Sequence, residues 1–132
     1  MTAYGIADAL YALKDQGATV DRDGIANPYD TGYYVGGLYP SLVFDSVHTM
    51  DRGEVAWWIG NHPANLYGVW EDDETGKVYV DAVQWDVSRR AAVQVGRDRG
   101  ELAVWDIKNS REIRCDDPEG PAQWELNEIS EP

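Results

Sequence analysis

A chain of 132 residues has the length of one domain, and at that size a globule buries roughly two-thirds of the surface its unfolded chain exposes. Its 24 acidic residues against 11 basic ones leave a formal charge of −13, which argues against direct contact with phosphate backbones or anionic lipid, since both need Lys and Arg to displace counterions. The lone cysteine, Cys115, excludes an intramolecular disulfide, no basic leader precedes an apolar stretch, and no apolar run nears the roughly 20 residues that span a bilayer, so a cytoplasmic protein with no nucleic-acid or membrane partner is expected.

Six Trp and eight Tyr stand against one Phe and two Met, a supply of aromatic side chains that, with many Val, leans toward sheet. Thr2 can cap a first helix in which Ile6, Leu10 and Leu13 form a narrow apolar stripe, and Gly17 is placed to end it. Residues 21–30 are polar, with Gly24, Asn27 and Pro28 as turn signals, and read as a loop. In residues 32–44, Gly36, Gly37 and Pro40 divide β-type side chains into two short strands or one broken strand. Residues 45–53 have room for a single helical turn.

Residues 54–60 fit two patterns. Val55, Trp58 and Ile59 share a helical face, whereas the composition and the bounding glycines fit a strand. The strand is preferred because it begins an antiparallel meander with residues 66–71 and 77–85, joined by the turn at 72–76. In the last strand Val78, Val80 and Ala82 lie on one face and Tyr79, Val83 and Trp85 on the other, so both faces are expected to be covered. Asp86 or Ser88 then caps a second helix with Val87, Ala91 and Val95 as its buried stripe and Gly100 after its last turn. Residues 102–107 and 111–115 form a strand and its return. The predicted fold class is α+β, an antiparallel or mixed sheet with two principal helices packed on it, built from residues 1–115 as one domain. Residues 116–132 form an acidic C-terminal tail that holds six acidic and no basic residues; Trp124, Leu126 and Ile129 are its expected anchors on the domain.

No catalytic, cofactor or metal site emerges. His48 and His62 lack ligand partners at helical spacing. Asp45, Ser46 and His48 have the residue types of a nucleophilic triad, but three near neighbours on one segment do not converge on one substrate atom. Gly36-Gly37 lacks the spacing and the following Lys of a phosphate-cradling loop. Cys115 precedes two aspartates, which disfavour a thiolate, and reads as a packing residue at a strand end.

The candidates for partner binding are aromatic and acidic. Tyr33 and Tyr34 belong to a Tyr-rich stretch with Tyr29 and Tyr39, a makeup used in protein-binding loops, with core packing as the alternative. In a strand, adjacent Trp57 and Trp58 point to opposite faces, so only one need be buried and the other is left as a binding anchor or as a residue beneath the tail. Glu71, Asp72, Asp73 and Glu74 place four acids at a hairpin tip, and Asp116, Asp117 and Glu119 with Trp124 form a second cluster in the tail. Arg89, Arg90, Arg97 and Arg99 make the only basic concentration, with neutralisation of nearby acids as the expected role.

The segments Gly68-Val69-Trp70-Glu71, Thr75-Gly76-Lys77-Val78-Tyr79-Val80-Asp81 and Gly100-Glu101-Leu102-Ala103-Val104-Trp105-Asp106 resemble a group of small uncharacterised proteins of actinobacteria and their phages. The resemblance covers about the second half of the chain and implies an origin in a phage or mobile element, without bringing active residues. The expected function is that of a non-enzymatic acidic protein that binds and modulates a host protein; its sharpest form is a nucleic-acid mimic for the basic channel of a nucleic-acid-binding protein. The alternatives are a small-ligand or glycan module built on exposed aromatics, and an immunity or antitoxin protein.

Overall fold

A computed structural model describes residues 1–115 of the chain. Helix α1 (Ala3–Ala12) starts where the Thr2 hydroxyl accepts the Gly5 amide, 3.2 Å away. The chain continues through β1 (Ala18–Asp21), β2 (Tyr33–Val35) and β3 (Leu42–Phe44) to α2 (Arg52–Asn61). Strands β4 (Leu66–Glu71) and β5 (Val78–Asp86) follow as a hairpin, then α3 (Arg89–Arg99), and finally β6 (Ala103–Asp106) and β7 (Arg111–Arg114). Ser88 caps α3 through its hydroxyl and Gly100 closes it in the left-handed conformation. Every strand pairing among the described residues is antiparallel, so the α+β class predicted above is the one the chain adopts.

Two compact units divide the chain. Met1–Pro28 with Leu38–Val83 form the first, and Tyr29–Gly37 with Gln84–Pro132 form the second, described as far as residue 115. In the first unit the strands run in the order β1-β4-β5-β3, with β5 contributing residues 78–83. Val20, Phe44, Val69, Val78, Val80 and Ala82 from this sheet merge with Ile6, Ala7 and Leu10 of α1 and Val55, Ala56, Trp58 and Ile59 of α2 into one buried cluster. In the second unit the last residues of β5 pair with β2, β2 with β6, and β6 with β7. Here Ala92 and Val93 of α3 pack on Val35, Val104, Ile113 and Cys115. Cys115 is buried at the end of β7, as a strand-end packing residue.

Three expectations are corrected. Residues 54–60 are not a strand but the body of α2, so the meander reduces to the β4–β5 hairpin and a third helix joins the two predicted. Asp51 caps α2 by accepting the Glu54 amide at 3.1 Å, and burial at Val55, Ala56, Trp58 and Ile59 follows helical spacing. The buried stripe of α3 is not Val87, Ala91 and Val95 but Arg89, Ala92, Val93 and Gly96. Capping at Ser88 sets this phase, which leaves Val87 in water. Strand β1 lies where no strand was predicted and pairs with β4 from Ala18 opposite Val69 to Asp21 opposite Leu66.

Candidate functional site

The β4–β5 hairpin of the first unit brings together the acids and aromatics that the sequence left apart. Its turn is built by Asp72. One carboxylate oxygen accepts the Glu74 amide at 3.0 Å, the other accepts the Thr75 hydroxyl at 3.0 Å, and the Asp72 amide donates to the Lys77 carbonyl at 2.8 Å. Gly76, at φ +75°, supplies the left-handed residue that returns the chain. Asp72 is thereby occupied by the turn, while Glu71, Asp73 and Glu74 are exposed.

This turn fixes the β4–β5 register, which sets Trp70 opposite Tyr79, and the pairing of β3 with β5 sets Val43 opposite Tyr79 on the other side. The Trp70 and Tyr79 rings stack, with centroids 4.4 Å apart and planes 11° from parallel. Trp70 Nε1 donates to Asp81 Oδ2 at 2.8 Å, and the Ser41 hydroxyl donates to Asp81 Oδ1. Asp81 is buried, so these two donors satisfy a carboxylate that would otherwise be costly to hold out of water. The result is an indole fixed in orientation and still 45 % exposed. In the sequence Trp70, Tyr79 and Asp81 stand out only as parts of strand segments, and neither they nor Ser41 are among the binding candidates. The register implied by the 72–76 turn is the signal that pairs Trp70 with Tyr79.

The other predicted candidates are scattered. Trp57 is 68 % exposed on α2, whereas Trp58 is 5 % exposed and belongs to the core, stacked on His62. One is buried and the other is not, but through helical rotation rather than strand alternation. In the second unit Tyr34 is buried, and the Tyr33 hydroxyl lies 3.4 Å from Arg89 Nε. Asp116, Asp117, Glu119 and Trp124, together with the docking of the tail, lie outside the described residues. Ser46 is used locally, its hydroxyl accepting the His48 amide at 3.2 Å. Among the described residues no group of three His, Cys, Asp or Glu is arranged to hold a metal, and no helix is long and apolar enough to cross a membrane.

Both units carry an acidic excess, larger in the first. The first holds twelve acidic residues against Lys14, Arg22, Arg52 and Lys77; the second also holds twelve, six of them in residues 116–132, against seven basic residues. In the second unit Arg97 Nε donates to the Cys115 carbonyl at 3.0 Å, and Arg99 donates to the Gly36 carbonyl and to Gln84 Oε1. Arg111 pairs with buried Asp106 at 3.3 Å. Burial pushes the Asp106 carboxyl upward, but hydrogen bonds from the Asn109 side chain and amide and from Arg111 outweigh it and hold the group below its usual range. In the first unit, burial raises the Tyr67 phenol despite the opposing hydrogen bond from Ala64.

No protein-family model, curated protein or solved structure matches the chain.

Proposed function

We propose that the chain is a non-enzymatic binding protein of phage or mobile-element origin that engages a basic region of a host protein through its first unit. The observation that carries this reading is the acidic excess of the first unit, twelve carboxylates against four basic side chains, with Glu71, Asp72, Asp73 and Glu74 consecutive around one hairpin turn. Solubility alone is served equally well by scattered charge, whereas concentrated charge of one sign focuses the field on one part of a surface and steers an oppositely charged partner to it.

Affinity capture from an actinobacterial lysate at about 50 and about 200 mM salt tests the reading, because electrostatic recognition weakens steeply over that interval. The expected result is a basic protein retained at low salt, released at the higher, and lost with an E71Q/D73N/E74Q variant. Recovery of no partner at either salt, or capture indifferent to both salt and charge neutralisation, overturns it. Competition by duplex DNA for the captured partner separates a nucleic-acid mimic from a ligand of any other basic surface.

A further inference from the structure

From the geometry of the hairpin we infer that the sheet face bearing Val43, Tyr79 and Trp70 is a docking surface for an arginine-bearing segment of a protein, with Trp70 as the anchor. This rests on the binding function proposed above and names the chemistry of its partner. The three residues occupy facing positions on β3, β5 and β4, so they form a continuous row across the sheet. Val43 and Trp70 are 44 % and 45 % exposed, and Tyr79 is half-buried between them in the row.

Two features make the row more than an exposed patch. Its anchor is already immobilised: stacking on Tyr79 and the hydrogen bond to Asp81 fix the indole, so little side-chain freedom remains to be lost on binding. Its border is acidic. Exposed Asp73 and Glu74 occupy the loop between the two strands and exposed Asp45 follows β3, three carboxylates against Lys77 in that loop, while Glu71, paired with Val78, alternates to the opposite face.

An aromatic ring beside several carboxylates fits a guanidinium better than any other common side chain. It is planar and weakly hydrated, it stacks on aromatic faces, and its fork of donors matches a carboxylate. An ammonium gains the charge attraction but has no flat face to lay on the indole, so the surface discriminates between the two cations. That preference distinguishes a built site from a general excess of negative charge.

Fluorescence anisotropy of labelled octa-arginine and octa-lysine peptides, titrated with the full chain at about 50 mM salt, tests the inference. Octa-arginine is expected to bind about five- to tenfold more tightly than octa-lysine. W70L abolishes that preference, D73N/E74Q weakens both peptides, and W57L leaves both unchanged. In the unmodified protein the Trp70 indole N–H resonance shifts on adding octa-arginine while that of Trp57 does not, a reading independent of how well any variant folds. Equal binding of the two peptides with no effect of W70L overturns this site and leaves the broader electrostatic reading to the lysate capture. Absence of octa-arginine binding also overturns it.

Discussion

Trp58 on α2 and His62, the residue that caps the C-terminus of that helix, stack with ring centroids 4.6 Å apart and planes at 22°, and His62 Nδ1 lies 2.8 Å from the Trp58 carbonyl oxygen. Tyr67 meets the Trp58 ring edge-on at 6.2 Å, so the indole is enclosed by α2 itself and by β4. The neighbouring Trp57 projects into water. Two chemically identical changes in consecutive positions therefore have very different costs. W58A is expected to lose about 3–5 kcal/mol of stability through lost contacts and a residual cavity, whereas W57A stays within about 0.5 kcal/mol of the parent. Urea denaturation of the two variants checks this, and equal midpoints would show that the buried face of α2 is misassigned.

The same pair shows what the sequence could and could not convey. Val55 to Ile59 is an unbroken apolar run, which has no period from which to choose between helix and strand. The capping signal Asp51 with Glu54 three residues on was readable, but the apolar residues of α1 against which α2 packs are distant in sequence. The β4–β5 hairpin, by contrast, was legible because its turn chemistry is local: Asp72, Thr75 and Gly76 each act within five residues. The four-residue β1 is held by pairing with a strand some fifty residues away, so no local pattern announces it. At the candidate site the acids of the tip were visible for the same local reason. The Asp81 link was hidden because Ser41, forty residues earlier, supplies one of its donors.

Asp106 contributes stability that depends on pH. Its folded pKa lies below its ordinary value of 3.8, so the unfolded chain takes up the proton first as acid is added. The contribution is complete above that value and is lost as pH falls through the folded pKa. D106N, which keeps the size of the side chain but not its charge, is expected to cost about 1–3 kcal/mol near neutrality. The gap between parent and variant should close below pH 3.8. Denaturation midpoints measured from neutral pH into this acid range check it, and a gap independent of pH would remove Arg111 and Asn109 as the source of the effect.

Tyr67 shows the opposite dependence. Its hydroxyl donates to the His62 carbonyl at 2.7 Å and accepts the Ala64 amide at 2.9 Å, which ties the end of α2 to β4. Burial raises its pKa above 10.0, so at alkaline pH the unfolded chain releases the proton before the folded one. Stability from this residue is therefore present below pH 10.0 and lost as pH rises through the folded value. Y67F is expected to lose about 1–3 kcal/mol at neutral pH by leaving two backbone groups unpaired, and the difference from the parent should narrow in the alkaline limb. The other tyrosines titrate in both proteins, so comparison of the two melting curves isolates this one.

Gly96 sets the distance between α3 and the sheet beneath it. In an exposed helix, replacing glycine by alanine gains about 1 kcal/mol. Here an added Cβ would lie 2.7 Å from Cys115 Sγ and 3.1 Å from Val104 Cγ1, closer than packed carbon and sulfur atoms tolerate. Relieving that overlap means moving the helix or the end of β7, at about 1–3 kcal/mol. The steric cost exceeds the gain in propensity, so G96A is expected to be destabilising by about 1 kcal/mol on balance. The cause can be separated from the effect by C115A, which removes the nearer obstacle at the expense of a small cavity. In that background G96A should cost much less, giving a favourable coupling of about 1 kcal/mol in a double-mutant cycle. Additive effects of the two changes would instead place the restriction at Val104.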